Sequence, residues 1–221
     1  MNESLGTKPN ELRGLHVQYG CGTTAPETWE NFDSSPTLCF ERLPFIGRLY
    51  TKNDHRFPQN VRYGDIVRGL PLAESSCAGI YASHVLEHLH LEDCRKALRN
   101  TFHLLMPQGI FRVIVPDLET AAKKYLANPS SNAAERFLME TSLGRAARAK
   151  GFIGFCTAFL GHSQHLWMWD YKGFIHELEA AGFSEVRSCA PGDSEDPFFK
   201  EVENPERFID AVSIQCRRPA R

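Results

Sequence analysis

Two stretches of this chain concentrate residues that can move protons or hold ions. The first is His84-Val85-Leu86-Glu87-His88, and the second is His162-Ser163-Gln164-His165-Leu166-Trp167-Met168-Trp169-Asp170. Histidine titrates near neutrality, which suits general acid–base work at physiological pH. His-X-X-Glu-His also fits the inverted zinc-peptidase signature. On a helix His84 and His88 would share a face, Glu87 would act as base, and Glu135 or Glu140 would have to supply a third ligand. That zinc-hydrolase reading leaves other features idle. Among them is Tyr19-Gly20-Cys21-Gly22, a glycine turn directly after the apolar run Leu15–Tyr19. Glycine tolerates positive φ and lets backbone approach a ligand closely. Asp33 and Asp65 follow later apolar runs, where a carboxylate can accept from vicinal hydroxyls or an amino group. Either could equally be a turn or capping aspartate.

The elements that must position these residues alternate in type. Short strands are expected at Leu15–Tyr19, ending near Phe32-Asp33, at Val61–Tyr63, Ala78–Ser83, Phe111–Val115, Glu185–Cys189 and Ala211–Cys216. About ten residues separate the first two, close to the minimum for a parallel crossover, so the intervening helix should be very short or absent. Helices are expected in Thr37 to Lys52 (interrupted at Pro44), Leu91–Met106, Leu118–Leu126, Ala133–Lys150 and Tyr171–Ala181. The third of these predicted strands is followed by Asp65 and Ile66, and the fourth ends at Ser83 and His84. In Leu91–Met106 the apolar residues Cys94, Leu98, Phe102 and Leu105 recur at helical spacing, and Pro107-Gln108-Gly109 is expected to terminate it. The pattern predicts an α/β, Rossmann-like, doubly wound and mostly parallel seven-stranded sheet, with an antiparallel strand near one edge and a helical substrate-side insertion.

The totals fit one unit. The chain has 221 residues, 42% hydrophobic and 24% charged, with a formal net charge of −2, so nucleic acid is not an expected partner. A single domain over 1–221 is expected, with a cofactor-binding core at 14–117, a cap at 118–170, and a C-terminal helix and strands at 171–221. Seven scattered cysteines, never spaced Cys-X-X-Cys, point to free thiols in a reducing cytosol. The polar opening, Met1 to Arg13, lacks the apolar core of a signal peptide, and the run Gly151–Gly161 is too short to span a bilayer. A cytoplasmic location without membrane contact is expected, and a homodimer is left open.

Four segments together resemble the class I S-adenosylmethionine-dependent methyltransferases, within the methyltransferase type 11 group. They are Leu15–Gly22, Asn31-Phe32-Asp33, Tyr63-Gly64-Asp65-Ile66 with Leu70-Pro71-Leu72, and Ala82–Leu89 followed by Leu104–Gly109. The resemblance implies S-adenosyl-L-methionine as cofactor. It implies contacts from Tyr19, Gly20, Cys21 and Gly22 to the methionine and ribose part. Asp33 would take the ribose hydroxyls, Asp65 and Ile66 the adenine, and Ser83 and His84 would line the same crevice. Two departures accompany it: Gly-Cys-Gly-Thr lacks a further helix-opening glycine, and Lys150–Trp169 matches no general methyltransferase motif. The expected reaction is methyl transfer to oxygen or nitrogen of a small polar acceptor, with His165, His162 and Asp117 as candidate catalytic residues and no metal. A catalytically inactive binding or scaffold protein of the same fold is the alternative, and a zinc-dependent hydrolase the remoter one.

Overall fold

The structure is a computed structural model and describes residues 14–43, 56–146 and 164–220. Seven strands form one sheet in the order β3-β2-β1-β4-β5-β7-β6. They are β1 (Leu15–Tyr19), β2 (Glu30–Asp33), β3 (Val61–Tyr63), β4 (Cys77–Ser83), β5 (Leu105–Pro116), β6 (Ser184–Ser188) and β7 (Ala211–Arg217). The first five pair in parallel, and β7 lies antiparallel between β5 and β6. The expected mixed α/β sheet is therefore present, with its antiparallel strand one place in from the edge.

The described α-helices are α1 (Pro36–Glu41), α2 (Leu91–Leu104), α3 (Leu118–Ala127), α4 (Ala133–Glu140) and α5 (Tyr171–Ala180), and 3₁₀ turns form at Leu86–His88, Pro197–Glu201 and Pro205–Phe208. The expected continuation of the α1 region beyond Pro44 lies outside the described residues. The helix expected from Ala133 to Lys150 stops at Glu140, and residues 141–146 are turn and irregular chain; 147–150 lie outside the described residues. So do His162, Cys156 and the aromatic residues of 151–160.

β4 is buried along almost its whole length, so its sequence reads as a continuous apolar run rather than an alternation. On one face α2 presents Cys94, Ala97, Leu98, Thr101 and Leu104 to the sheet, and α5 adds Phe174 and Leu178. Arg95 ties these helices together by donating to both carboxylate oxygens of Glu177, at 2.9 and 2.8 Å. The other face is covered by aromatic residues: Trp29, Tyr81 and Phe199 pack there with Ile110 and Ile114.

Two expectations need adjustment. Pro107-Gln108-Gly109 does not terminate α2; the helix ends at Leu104 and the chain enters β5 at once. The three residues form an irregularity in that strand, where the register jumps from Cys77–Leu105 to Gly79–Ile110. Proline has no N–H for the ladder, and Gln108 takes a left-handed backbone (φ 67°). The jump is secured from β7, since Gln108 N–H donates to Arg218 O at 2.9 Å and Arg217 donates back to Gln108 O at 2.6 Å.

The crossover from β1 to β2 contains no helix. Buried amides shape it instead. Gln18 donates to Thr24 O (2.7 Å) and to Asn31 Oδ1 (2.6 Å), while Asn31 donates to Pro26 O and Trp29 O (2.9 and 2.8 Å). Side chains from the two strands thus satisfy loop carbonyls that a helix would have paired internally.

Beneath the sheet's second face the Arg112 guanidinium is fully buried. It pairs with Glu203 (2.6 Å) and Asp193 (2.8 Å) and donates to Gln215 Oε1 and Ala190 O. Burial alone would raise Asp193, but donors from Ala190, Arg112 and Arg187 hold it below the usual carboxylate range. Removing the cation would leave Glu203 buried without its partner. Arg112→Met is therefore expected to lower stability by about 3–5 kcal/mol in urea unfolding, against a change within about 0.5 kcal/mol for the exposed Lys96→Met.

Candidate functional site

The carboxyl ends of β1, β2, β4 and β5 lie on one edge of the sheet, and the strand order reverses between β1 and β4. Open α/β sheets place ligands at that switch point. The turn leaving β1 is built for close approach there. Gly20 and Gly22 both have left-handed backbones (φ 65° and 55°). A Cβ on Gly20 would lie 2.2 Å from Val85 Cγ2, so the chain after β4 packs directly against the turn. A Cβ on Gly22 would meet nothing within 4 Å. The turn is thus supported on one side and open at its tip.

Asp33, at the end of β2, fastens the turn. Its carboxylate is buried, accepting the Gly22 N–H at one oxygen (3.0 Å) and the Ser35 N–H at the other (2.7 Å). Burial pushes its pKa up, and the two backbone donors oppose the shift. Cys21 N–H donates to Phe32 O. Burial, reinforced by the neighbouring Asp33, pushes the Cys21 thiol up to about 12, so it is a neutral group at physiological pH.

The remaining candidates divide between lining and support. Tyr19 reaches the turn only through its backbone; its ring is buried in the core and its hydroxyl meets Thr101 Oγ1 at 3.2 Å. Asp65 accepts from Val67 N–H at 2.9 Å and lies 3.4 Å from Arg68, while Ile66 is buried beside it. Ser83 ends β4, and its buried hydroxyl faces that of Tyr81. His84 follows with a left-handed backbone (φ 55°), and its Nε2 meets Arg207 O at 2.9 Å.

Asp117 directly follows β5 and caps α3, accepting from Glu119 N–H (2.9 Å) and from the Thr120 hydroxyl (2.5 Å). It borders a cleft of about 580 Å³ between α3 and α4, to which Tyr125, Arg136, Phe137 and Thr141 also contribute. Of the candidate catalytic residues, Asp117 alone lines that cleft among the described residues, with Met168 of the second histidine stretch beside it.

His165 is brought to the other histidine stretch, not to the cleft. Its ring centroid lies 5.0 Å from that of His88, and Leu166 and Trp167 donate to Glu87 O at 2.7 and 3.1 Å. Burial lowers the His165 pKa, and the nearby Glu87 partly offsets this. The expected helical display of His84 and His88 is not found: only a single 3₁₀ turn, Leu86–His88, forms there. The third metal-capable group beside Glu87 and His88 is His165, in place of the anticipated Glu135 or Glu140.

This geometry separates the two glycines. Gly20→Ala combines a clash with an unfavourable backbone and is expected to cost about 2–4 kcal/mol, whereas Gly22→Ala bears only the backbone term of about 1–2 kcal/mol; thermal melting compares the two. The raised Asp33 pKa also makes stability fall as pH rises above the ordinary value near 4, because the folded chain keeps a proton that the unfolded chain releases. Asp33→Asn is expected to flatten that slope in unfolding curves taken across mildly acidic pH.

No protein-family model matches the chain, and no curated protein sequence matches it significantly. Solved structures do share its fold. One is the complex between the Haloferax volcanii Trm112 methyltransferase activator and a methyltransferase, with TM-score 0.50, 16% identity, and 96% of this chain and 85% of that one covered. Another is the citrinin polyketide synthase CMeT domain, with TM-score 0.50, 11% identity, and 94% of this chain and 47% of that one covered. The fold of this chain is that of the class I S-adenosylmethionine-dependent methyltransferases.

Proposed function

We propose that the chain binds S-adenosyl-L-methionine at the β1–β4 switch point and transfers its methyl group to an oxygen or nitrogen of a small polar acceptor. The observation that carries this reading is the Gly20–Gly22 turn, open at its tip, with the buried Asp33 carboxylate fastened to Gly22 N–H.

The residues fit the cofactor's chemistry. Each Asp33 oxygen accepts one backbone N–H and retains a second lone pair, so the carboxylate can accept from vicinal ribose hydroxyls without giving up its hold on the turn. Asp65 and Ile66, after β3, offer an acceptor and an apolar surface to a base. Ser83 places a hydroxyl at the end of β4. When bound, S-adenosylmethionine supplies a methyl group activated by its sulfonium. The chain's main task is then alignment, since in-line displacement gains most from holding the reacting atoms in register.

The cleft beside α3 and α4 is the acceptor side in this reading, because it opens at the end of β5, next to β4 in the sheet. Its charges are largely paired, Lys124 with Asp210 and Arg136 with Glu140, which favours a polar, uncharged acceptor. Asp117 positions α3 and borders the acceptor. His165 does not line the cleft, and His162 lies outside the described residues. No described histidine is therefore assigned to take the acceptor's proton.

Titration calorimetry with S-adenosylhomocysteine tests the reading. The wild-type chain is expected to bind one equivalent, and Asp33→Ala to weaken binding by about 1.5–3 kcal/mol through loss of a charge-assisted acceptor. A folded wild-type chain that binds neither S-adenosylmethionine nor its product would overturn it and leave a non-catalytic protein of the same fold.

A further inference from the structure

We propose that Glu87, His88 and His165 form a binding site for one divalent first-row transition-metal ion of the zinc type, with His84 beside it. The site shares the segment after β4 with the Gly20 turn, and it does not depend on the methyl-transfer reading.

Glu87 is fully buried, and neither of its carboxylate oxygens has a hydrogen-bond partner. A buried carboxylate left in that state is costly, so its surroundings should show what compensates it. They are imidazoles. His84 Nδ1 lies 3.4 Å and His88 Nε2 3.8 Å from the same oxygen, Oε1. One ligand atom each from Glu87, His88 and His165 lie within 4.8 Å of one another. Bonds of 2.0–2.2 Å in a tetrahedral site put neighbouring ligand atoms about 3.3–3.6 Å apart. Of the two Glu87–histidine separations, 3.4 Å falls inside that range and 3.8 Å just above it; both are long for hydrogen bonds and suited to a shared ion.

The far sides of the rings point the same way. His84 Nε2 faces Arg207 O at 2.9 Å, and His88 Nδ1 faces Gln164 O at 3.0 Å. Carbonyl oxygens only accept, so both nitrogens carry hydrogen. The other ring nitrogens, His84 Nδ1 and His88 Nε2, are the ones turned toward Glu87 Oε1, which leaves room for a cation between imidazole and carboxylate. Metal-bound histidines commonly hold their other nitrogen against a carbonyl in this way. His165 Nδ1 is itself buried without a partner. Two histidines and one glutamate form a zinc-type donor set, with one coordination position left for water or another oxygen.

The backbone brings these groups together at some conformational cost. His84 is left-handed, Leu166 and Trp167 N–H groups both hold Glu87 O, and His165 N–H donates to Ser142 O at 3.2 Å. Glu87 acts here as a ligand, not as the base of a peptidase, and the third ligand comes from the segment that precedes α5.

The test uses the full chain, stripped with chelator and titrated with Zn²⁺ and, as a spectroscopic probe, Co²⁺. One equivalent of zinc is expected to survive gel filtration, and Co²⁺ should give the visible bands of a low-coordinate site. Glu87→Gln and His165→Ala should each weaken binding at least about 100-fold, while the exposed His176→Ala leaves it unchanged. Circular dichroism establishes that each variant is folded, and the His165 variant serves if Glu87→Gln is not. A folded wild-type chain that holds no zinc and gives no Co²⁺ bands would overturn the proposal. So would stoichiometric binding unaffected by either substitution, or nitrogen NMR showing His84 and His88 as imidazolium with zinc present. S-adenosylhomocysteine calorimetry on the stripped protein keeps the two readings apart, since cofactor binding without metal leaves methyl transfer standing when the metal site fails.

Discussion

The Asp33 carboxylate is the interaction on which the sheet edge depends. Through Gly22 and Ser35 it joins the tip of β1 to the start of α1, and it does so from a buried position where solvent competes little for its donors. The crossover between β1 and β2 has no helix to define its path. A missing helix would normally leave several backbone carbonyls in search of partners. Here the amides of Gln18 and Asn31 supply them from inside the sheet, and Asp33 fixes the far end. The shortened first motif is thus replaced by side-chain hydrogen bonding, and the turn keeps the shape that a ligand-binding tip requires.

The two faces of the sheet solve burial differently. Under α2 and α5 the packing is aliphatic and phenylalanine-rich, held across the helices by the Arg95–Glu177 fork. The other face is covered by loops and 3₁₀ turns that cannot supply a continuous apolar stripe. It relies on aromatic edges around Phe199 and on the buried Arg112 cluster. A fork of fixed donors can satisfy carbonyl and carboxylate groups from several loop segments at once, which an aliphatic residue cannot. Charge in that layer compensates for irregular backbone.

Most of the architecture could be read in the residues because periodicity and turn chemistry agree. The alternation of β4, α2 and β5 is visible in apolar spacing alone, and Gly182 closes α5 with a positive φ as its position suggests. The end of α2 was misplaced because Pro107 and Gly109 carry the same signal whether they stop a helix or break a ladder; only the pairing with β4 and β7 decides. Within the candidate site, the left-handed turn at Gly20 and Gly22 and the strand-end place of Asp33 were legible, while their contact with a cofactor is a proposal. The inward turn of the Tyr19 ring was not legible, since a strand residue's face is set by the sheet. Val85 and Gln164 carry no chemical signature of their own. Their importance arises from contacts between segments far apart in the chain.

The five residues from His84 to His88 show how such contacts accumulate. His84 holds β5 through its backbone N–H, which donates to Ile114 O, and reaches Arg207 with its ring. Val85 supports Gly20, Leu86 enters the core, and Glu87 and His88 face the segment before α5. A regular helix starting here would repeat its faces every three to four residues and could not meet so many directions. The left-handed residue and the single 3₁₀ turn provide that dispersion. The same irregularity places Val85, which supports the Gly20 turn, two residues from Glu87, whose carbonyl holds the segment before α5. Any ligand that orders Glu87 and His165 therefore bears on a stretch of chain that also supports Gly20.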